Sequence, residues 1–457
     1  MNPSKTIGIF HFKIGGTDGV SLEIEKWKHV LEEMGHTVHL CAGDLGAVEG
    51  VLIEEMYHHI PEIERLNRNT FSQLRDFDEA GYKAELDRWT NALERRFRDF
   101  IVQKGIDFII PQNVWSVAAS PPVAVALERV RRELGIPALA HNHDFYWERV
   151  DGVALTCAAA VELADKYLPP RDPKIKHVVI NSLAQRELAA RKGIQASVVP
   201  NIFDFDAPPW GPDDYSRDFR ERIGLKENDV FILQATRIVP RKGIELAVDF
   251  VKALGAPARR AQLNSGLYDG RAFTGDSRIV LVLAGYAQDD LTGRYLNQLK
   301  TKAQREGVDA LFVDHLVGGG RGTRNGNKIY SLWDTYVFAD FVTYPSLWEG
   351  WGNQLLETLR ARLPMMLFEY PVYRADIQDK GFRFVSLGGE LSGRDARGLA
   401  QVSPEIIESA ADQAVELLTN PQLRAETVEH NFRTGRKHYS LAALRGHLTR
   451  LMAGTFA

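Results

Sequence analysis

One segment of the chain combines glycines, carboxylates and a potential helix start within a few residues. It reads SLWEGWGNQLLE and runs from Ser346 to Glu357. Its two glycines, Gly350 and Gly352, let the backbone turn sharply and approach a ligand closely. The backbone amides at the helix start would then be available as donors, an arrangement that suits a phosphate oxygen. These amides belong to Gly352, Asn353 and Gln354.

The two carboxylates of this segment suit hydroxyl groups. Glu349 lies in the expected loop, and Glu357 follows inside the expected helix. A carboxylate accepts hydrogen bonds from vicinal hydroxyls such as those of a ribose or a hexose. The alternative is a glycine-loosened turn with a solvated glutamate at each end. A basic cluster elsewhere in the chain favours the ligand-binding interpretation.

That basic cluster reads TRIVPRKG and spans Thr236 to Gly243. It stands between a strand-like run, Val230–Ala235, and a helix-like run, Ile244–Leu254. Cations such as Arg237 and Lys242 at the carboxyl end of a strand can neutralise a diphosphate, because arginine presents a bidentate fork and lysine a point charge. Surface basic residues that flank a turn are the alternative.

Alternating strand-like and helix-like runs must position these residues. Apolar runs bounded by turns are typical of strands in a parallel sheet. In the first half they are Thr6–Phe10, Thr37–Cys41, Ile106–Ile110, Pro137–His141, His177–Ile180 and Ala196–Val199. In the second half they are Val230–Ala235, Ile279–Ala284, Ala310–Val313, Phe341–Tyr344, Pro364–Leu367 and Phe382–Val385. The chain therefore predicts two α/β halves, with a ligand cleft between them.

The remaining stretches set the limits of the halves. Pro200–Asp218 holds five Asp and four Pro with little periodicity, and we interpret it as a linker. A glycine-rich stretch with Arg321 and Arg324 is predicted to be a flexible basic loop. A helix is expected at Gly152–Ala164, and three helical segments are expected at the end of the chain, at Pro404–Leu418, Pro421–His438 and Leu441–Met452.

In this order, the two site segments resemble the retaining nucleotide-sugar glycosyltransferases of family four. That family carries an Arg and a Lys five apart after the first strand of its second domain, and Glu-x7-Glu late in that domain. Here these residues are Arg237, Lys242, Glu349 and Glu357. The resemblance covers nearly the whole chain. Its other matches are the glycine loop at Gly15-Gly16, the last-strand serine at Asn181-Ser182, the domain exit Val199–Asp204 and the tail start at Tyr439-Ser440.

The resemblance implies an α/β protein of the GT-B fold, with two Rossmann-like domains facing across a cleft. It places an N-terminal acceptor domain at 1–205, a C-terminal donor domain at 206–435, and a C-terminal helix at 436–457 that packs back on the first domain. It implies transfer of a hexose from a nucleoside diphosphate sugar to a hydroxyl, with retention at the anomeric carbon and the departing phosphate taking the acceptor's proton.

In this mechanism Arg237, Lys242 and the helix-start amides would stabilise the charge of the leaving diphosphate. The resemblance implies that they replace a metal ion, so neither metal nor cofactor is expected. Glu349 would hold hydroxyls of the donor sugar, and Glu357 those of the ribose. The rest of the expected donor-binding loop is Gly350, Trp351, Gly352, Asn353 and Gln354.

The first half contributes a histidine pair, His141-Asn142-His143-Asp144, after the run Pro137–Ala140. Histidine here can bind a sugar hydroxyl or shuttle a proton. In the resembling family a His-Asp pair at this place reaches the donor hexose, and His143 with Asp144 matches it best, while His141 remains open. A satisfied strand-end histidine is the alternative. Metal binding by His-x-His lacks further close ligands.

Gly15 and Gly16 follow the first strand-like run, Thr6–Phe10. The segment lacks the Gly-x-Gly start of the dinucleotide fingerprint. We expect this loop to let the backbone pass close to a sugar diphosphate, with an ordinary tight turn as the alternative.

A charged, helix-patterned insertion at about 51–104 interrupts the alternation. Its His58, Arg68 and Arg75 would suit an acceptor carboxylate or phosphate. A solvated helical cap is the alternative. The chain has no long basic amphipathic helix for a lipid surface. We therefore expect a small soluble carbohydrate acceptor, such as a sugar acid or sugar phosphate, as in compatible-solute synthesis. GDP-mannose is favoured over UDP-glucose as donor, although no residue decides between them.

Composition excludes several other classes of protein. The chain has 457 residues and a formal charge of −4, which argues against a nucleic-acid partner. Its two cysteines are far apart and cannot build a disulfide scaffold. No apolar run reaches the roughly 18–20 residues of a membrane span, so we expect a cytoplasmic protein without membrane insertion.

Two rival functions remain at this stage. One is a GT-B epimerase or glycan phosphorylase, which shares the nucleotide or phosphate site without the transfer. The other is a non-catalytic two-lobed sugar-binding protein, for which a paired Arg237 and Lys242 has no evident use.

Overall fold

The computed structural model describes residues 4–16, 18–149, 152–285 and 292–453. The chain divides into two compact units. Unit 1 comprises residues 1–202 together with 441–457, and unit 2 comprises residues 203–440. Among the described residues, no helix combines the length and the apolar character needed to cross a membrane.

Unit 1 is built on a parallel sheet, which has seven strands within the described residues. They are β1 (Thr6–His11), β2 (Thr37–Ala42), β3 (Val51–Leu52), β4 (Phe108–Pro111), β5 (Ala138–Asn142), β6 (Ile175–Val179) and β7 (Ala196–Val198). The order is β3-β2-β1-β4-β5-β6-β7, so the direction of winding reverses between β1 and β4. Ligands of such sheets bind at the carboxyl ends of the strands beside this reversal.

The first helices of unit 1 cover both faces of its sheet. They are α1 (Gly19–Glu33), α2 (Pro61–Phe71), α3 (Glu79–Lys104), α4 (Pro121–Leu134), α5 (Ala158–Tyr167) and α6 (Ser182–Lys192). The expected helix at Gly152–Ala164 therefore begins only at Ala158. Short helical turns lie at Glu54–Met56 and Tyr146–Glu148.

The insertion at 51–104 is more than a solvated cap, because α3 packs its inner face on the sheet. The rings of Phe97 and Phe100 meet that of Phe10 edge-on, with centroids 5.6 and 5.5 Å apart. Leu93 is fully buried beside them. A buried stripe inside a charged stretch is the ordinary pattern of an amphipathic helix. The insertion therefore contributes to the core of unit 1.

Unit 2 is also built on a parallel sheet, to which shorter strands are added. The strands are β8 (Val230–Gln234), β9 (Ile279–Leu283), β10 (Asp309–Phe312), β11 (Val317–Gly318), β12 (Gly322–Arg324), β13 (Asn327–Ser331), β14 (Phe341–Tyr344), β15 (Met365–Leu367), β16 (Val385–Ser386), β17 (Gly393–Arg394) and β18 (Ala400–Gln401). In the described part of the chain, six of them form a parallel sheet in the order β10-β9-β8-β14-β15-β16. Its winding reverses between β8 and β14.

The helices of unit 2 are α7 (Phe219–Arg222), α8 (Ile244–Leu254), α9 (Pro257–Leu263), α10 (Arg294–Glu306), α11 (Leu332–Phe338), α12 (Asn353–Arg360), α13 (Pro404–Thr419) and α14 (Pro421–Tyr439). Short helical turns lie at Pro240–Lys242, Tyr373–Ile377 and Gln378–Lys380. The two sheets with their covering helices confirm the expected pair of Rossmann-like domains.

The final helix, α15 (Leu441–Met452), belongs to unit 1. Its Leu444 and Leu448 are fully buried in a cluster with Trp27 and Leu31 of α1. Arg445 also forms an ion pair with Glu33 at the end of α1. This helix confirms the expected return of the chain to its first domain, although residues 454–457 of the predicted segment lie outside the described residues.

The stretch predicted to be a flexible basic loop is instead a β-hairpin, formed by β12 and β13. Asn325 and Gly326 at its tip have φ of 51° and 77°. Two successive positive φ angles are typical of a type I′ turn, which the sequence Asn-Gly favours. Arg321 beside the hairpin donates to Asp334 at 2.6 Å and to Asp213 at 2.5 Å. Turn chemistry and ion pairing thus order the segment.

Candidate active site

The two loops that carry the conspicuous motifs of unit 2 pack directly on each other. One follows β8 and the other follows β14, the neighbours at the winding reversal. Gly243 has a φ of 57°, and a Cβ there would lie 2.4 Å from the carbonyl oxygen of Pro345. The amide of Leu347 donates to the carbonyl of Arg241 at 2.9 Å. Glycine at 243 therefore allows the close contact that joins the two motifs.

The carboxylate of Glu349 lies at the centre of this junction. Its Oε1 accepts from Nζ of Lys242, and its Oε2 accepts from Nη1 of Arg241 at 3.1 Å. Only 7% of Glu349 and 8% of Lys242 is exposed. The charge of Arg237 is close enough to lower the pKa of Lys242. Two cations thus bond one carboxylate and a third lies near Lys242, so the cluster retains excess positive charge.

Electrostatics fix the charge of this carboxylate. Burial is the largest effect on Glu349 and raises its pKa, but the charges of Lys242 and Arg241 outweigh burial and hold the pKa below its usual value. Burial also lowers the pKa of Lys242, while the charge of Glu349 opposes that shift. Glu349 is therefore ionised at neutral pH and accepts hydrogen bonds only.

The bend after Glu349 depends on glycine. Gly352 has a φ of 125°, and a Cβ there would lie 2.4 Å from the hydroxyl oxygen of Tyr370 and 2.9 Å from that of Tyr344. The Tyr370 hydroxyl donates to the carbonyl of Trp351 at 2.7 Å. Helix α12 begins directly after this bend with Gly352 as its cap, and glycine has no side chain to bond the first amides. Its N-terminus suits an anion.

The neighbouring side chains of the expected donor loop hold the bend in place. Nε2 of Gln354 donates to the carbonyl of Thr343 at 3.2 Å, which ties the start of α12 to the end of β14. The indole of Trp351 is buried and meets the ring of Tyr439 edge-on at 5.3 Å. These two side chains support the loop, in which Gly350 and Asn353 are half-buried.

Glu357 lies farther along α12 and is half-buried. Its Oε2 accepts from the hydroxyl of Tyr336 at 2.6 Å. Burial, followed by the charge of Glu357, raises the pKa of Tyr336 far above its ordinary value. Tyr336 therefore acts as a fixed donor that orients the Glu357 carboxylate. The motif spacing did not indicate this partner, which comes from α11.

In unit 1, His143 lies at the carboxyl edge of the sheet. Its Nε2 makes a 2.9 Å hydrogen bond with Oε1 of Gln112, and its backbone amide donates to Oδ1 of Asn113 at 2.6 Å. An amide oxygen only accepts, so Nε2 carries the proton. The amide of Asp144 donates to the same Asn113 oxygen at 3.3 Å. Burial lowers the pKa of His143 to about 3, so its imidazole is neutral.

Three residues of this edge have no motif and escaped the sequence reasoning: His11, Gln112 and Asn113. Nδ1 of His11 makes a 2.7 Å hydrogen bond with the carbonyl of Gln112, across the reversal between β1 and β4. Asn113 has a φ of 56°, in the left-handed region that asparagine adopts more readily than most residues. The three residues share only a polar side chain at the end of a strand, and in a single sequence this feature is weak evidence for a functional residue.

His141 has a different environment. Only 1% of it is exposed, and its ring stacks on Trp27 at 4.2 Å and lies 4.1 Å from that of His143. Within the described ranges neither of its ring nitrogens has a hydrogen-bond partner. Burial lowers its pKa well below the ordinary value. His141 is thus a neutral packing residue behind His143.

The glycine loop after β1 turns tightly against the chain itself. Gly15 has a φ of 78°, and a Cβ there would lie 2.3 Å from the carbonyl oxygen of Leu45. A Cβ at Gly16 would lie 2.8 Å from Oδ2 of Asp18, whose carboxylate caps α1. Thr17 of this loop lies outside the described residues. Tight-turn geometry accounts for Gly15, and a role in donor binding stays a prediction.

The expected acceptor residues separate into two kinds. His58 packs on Phe12 with centroids 5.8 Å apart, and burial, followed by the charges of His59, His11 and Lys13, lowers its pKa to about 4. It therefore lies near the end of β1. Arg68 and Arg75 are exposed on α2 and in the loop after it. In the ranges described above, neither guanidinium makes a contact with His58.

The described residues contain no cluster of three or more His, Cys, Asp or Glu side chains that could hold a metal ion.

Comparison with known proteins decides the family. No family model matches the chain. It is 39% identical over 457 residues to mannosylglucosylglycerate synthase of Thermotoga maritima, covering 97% of this chain and 99% of the relative. The enzyme of the same name from Petrotoga mobilis is 37% identical over 416 residues, covering 91% and 94%. The chain belongs to the mannosylglucosylglycerate synthase family.

Solved structures show the fold of this family. A glycosyltransferase from Rickettsia africae superposes with a TM-score of 0.60 at 13% identity, covering 99% of this chain and 98% of its own. Sucrose-phosphate synthase from Thermosynechococcus elongatus gives 0.59 at 13% identity, covering 98% of each chain. The likeness confirms the GT-B fold. With the relatives, it confirms the resemblance to family-four glycosyltransferases and an enzyme of the hexosyltransferase class.

Proposed function

We propose that the protein transfers mannose from GDP-mannose to a hydroxyl of a glucosylglycerate-type sugar acid, with retention and without a metal ion. The relatives' name describes a mannosyl group on glucosylglycerate, which makes a small carboxylate-bearing acceptor the natural substrate class. The observation that carries the proposal is the ion pairing of Glu349 with Lys242 and Arg241 at the winding reversal of unit 2.

The positive cluster supports diphosphate binding. The cluster of Arg237, Arg241 and Lys242 holds three positive charges against the single negative charge of Glu349, so a doubly charged diphosphate balances it better than a neutral sugar alone. Arg237 is the exposed member, and its guanidinium is proposed to bind a phosphate. The uncapped N-terminus of α12 supplies further positive partial charge. As the bond from the anomeric carbon to the phosphate oxygen breaks, these groups stabilise the negative charge that appears on the diphosphate.

Glu349 is proposed to orient the hexose. Each carboxylate oxygen has two lone-pair directions, and Lys242 and Arg241 occupy one on each oxygen. The hydroxyls of Ser346 and Tyr344 also lie beside the carboxylate, and sugar hydroxyls are proposed to share or replace them as donors. Glu357, oriented by Tyr336, is proposed to bind the ribose hydroxyls in the same way.

Unit 1 is proposed to bind the acceptor. His143 and Asp144 are proposed ligands of the transferring hexose, and Gly15 and Gly16 of the diphosphate. Because His143 is neutral and Nε2 is already bonded, we expect it to interact through its unprotonated Nδ1 as an acceptor rather than as an acid. The new bond forms between the acceptor oxygen and the anomeric carbon, and the acceptor's proton passes to the departing phosphate oxygen.

The test is a transfer assay. Purified protein in EDTA is given GDP-mannose or UDP-glucose, each with glucosylglycerate, glycerate or a hexose phosphate. We expect mannosylated glucosylglycerate, with the anomeric configuration of the donor retained by NMR. Transfer to no sugar acid or hexose phosphate, inversion, or activity that requires a divalent ion would contradict the proposal. Product from donor alone would indicate an epimerase.

Two variants connect the assay to the site. Glu349→Gln keeps the shape of the side chain and removes its charge, so turnover should fall at least about 100-fold. The matched control is Glu390→Gln, because the Glu390 side chain is 88% exposed in the same unit and should leave turnover unchanged. Equal activity of the two variants would exclude the proposed role of Glu349.

A further inference from the structure

The guanidinium of Arg149 is partly buried, and its contacts among the described residues are neutral groups. Its Nη1 donates to Oδ1 of Asn67 at 2.9 Å, and its Nη2 donates to the carbonyl of Val117 at 3.1 Å. Its Cζ lies 4.2 Å from the ring centroid of Phe71. Among the described residues, no carboxylate lies within ion-pair distance of it. Burial, with no opposing charge, lowers the pKa of Arg149.

The more deeply buried arginines of the described residues have carboxylates close by. Arg131 bonds both oxygens of Glu128, and Arg259 bonds Glu408 and Asp412. Arg360 and Arg424 donate to carbonyls instead, and the charges of nearby aspartates oppose the burial that lowers the pKa of each guanidinium. Taking a cation out of water without a counter-charge is costly. A guanidinium with no carboxylate nearby among the described residues is therefore a candidate site for an anion. Arginine has five N–H groups, and the described contacts of Arg149 use two of them.

Arg149 is connected to the carboxyl edge of the unit 1 sheet, where His143 lies. Val117, which accepts from Arg149, lies in the loop between β4 and α4. Its amide donates to the carbonyl of Asn113 at 3.1 Å, and the side chain of Asn113 accepts from the amide of His143. One loop therefore holds both Arg149 and His143. Asn67 and Phe71 bring the insertion helix α2 to the same guanidinium.

We propose that Arg149 binds the carboxylate of the acceptor and thereby selects a sugar acid over a neutral sugar. The inference rests on the proposed function and assigns its acceptor specificity to one residue. It replaces Arg68 and Arg75 in that role, because both are exposed and lie where water already solvates their charge. A planar guanidinium with free N–H groups matches a carboxylate in a bidentate pair.

A purely structural role makes a different prediction. Ala118 has a φ of 49°, and Nδ2 of Asn67 donates to the carbonyls of Ala118 and Ala119 at 2.9 and 3.0 Å. Arg149 could simply complete this clamp on the loop. In that case its loss would affect all acceptors equally.

The experiment compares glucosylglycerate with glucosylglycerol, in which CH₂OH replaces the carboxylate. We expect the wild type to prefer the acid by about 30-fold in kcat/KM, the value of one charge-assisted contact. Arg149→Gln should bring the preference close to one by raising the KM for the acid, while the KM for the donor stays constant. Arg149→Lys should keep part of the preference, and melting curves of both variants report folding.

The matched control is Arg65→Gln. Arg65 also lies over a phenylalanine ring, that of Phe77 at 4.7 Å, but it has Glu85 at 3.9 Å. It should keep the wild-type preference. An unchanged preference in Arg149→Gln, with both acceptors slowed equally, would assign Arg149 to the clamp and overturn the inference. A wild type that mannosylates neither acceptor would overturn the proposed function and this inference with it.

Discussion

The buried pair of Lys242 and Glu349 should couple stability to the donor site. Lys242→Met removes one charge and leaves Glu349, which is only 7% exposed, with Arg241 as its remaining partner. Breaking a buried ion pair by removing one partner costs about 3–5 kcal/mol. Because Arg241 still compensates part of the charge, we expect the lower end, about 3 kcal/mol.

This loss is measurable by calorimetry. Unit 2 spans residues 203–440, and for a domain of 150–250 residues 1 kcal/mol shifts the melting temperature by about 2–4 °C. The transition of unit 2 should therefore fall by about 6–12 °C in Lys242→Met. Lys242→Met combined with Glu349→Gln should lose less than the sum of the two single variants, because neither charge is then left unpaired.

The pH dependence has a definite sign. In the wild type the pKa of Glu349 is depressed, so its contribution is present above the unfolded pKa and disappears as pH falls through the folded one. Without Lys242, burial raises that pKa, and protonation then stabilises the fold. The deficit of Lys242→Met should therefore be largest at neutral pH. It should begin to shrink as pH falls through the raised pKa of the variant, and shrink further below about pH 4.5, where the wild type loses its own contribution.

A surface pair provides the control. Arg374 bonds Glu390 at 3.2 Å, and the Glu390 side chain is 88% exposed, so Arg374→Met should cost less than about 1 kcal/mol. A Lys242→Met deficit no larger than that of Arg374→Met, or strict additivity in the double variant, would refute the account of a coupled buried pair.

Three further changes test other parts of the site. Gly352→Ala places a methyl group 2.4 Å from the Tyr370 hydroxyl, so nucleoside diphosphate affinity measured by titration should fall at least about tenfold. The control is Gly381→Ala, which is also at positive φ but has open space around it and should leave the affinity unchanged. Tyr336→Phe frees Glu357 and should weaken nucleoside binding about fivefold while kcat stays constant, and an equal loss in kcat would contradict a ribose role. Native His143 resists protonation between pH 6.5 and about 3, so the free energy of unfolding of the wild type falls as the pH falls through this window. His143→Gln should reduce that slope by up to about 1.4 kcal/mol per pH unit. An unchanged slope in acid unfolding curves would contradict the low pKa of His143.

The sheets were predictable because their signal is local. Apolar runs such as Phe341–Tyr344 coincide with the observed strand, and Gly15, Gly243 and Gly352 mark turns that glycine alone fits without strain. Helix limits were less accurate at the start of α5, where Gly152 precedes five residues without helical structure. Helical periodicity alone does not locate a helix start when no capping residue marks it.

Side-chain partners were not predictable, because they depend on which loops meet. Arg241 belongs to the recognised basic segment, yet spacing does not show that it bonds Glu349, 108 residues away. Tyr336 in unit 2 and Arg149 in unit 1 each lie outside the recognised motifs, so no spacing pointed to them. The hairpin at Asn325-Gly326 was mistaken for a flexible loop because its glycines and arginines were weighed without the turn type that Asn-Gly favours.

The central claim is that side-chain cations and helix-start amides of unit 2 bind a diphosphate without a metal ion. The most direct measurement is calorimetric titration, in EDTA, of the diphosphate and the monophosphate of the nucleoside that the donor assay selects. We predict that the wild type binds the diphosphate at least about tenfold more tightly, and that Arg237→Gln loses most of this difference. An unchanged ratio in Arg237→Gln, or a ratio that appears only when a divalent ion is added, would contradict the account.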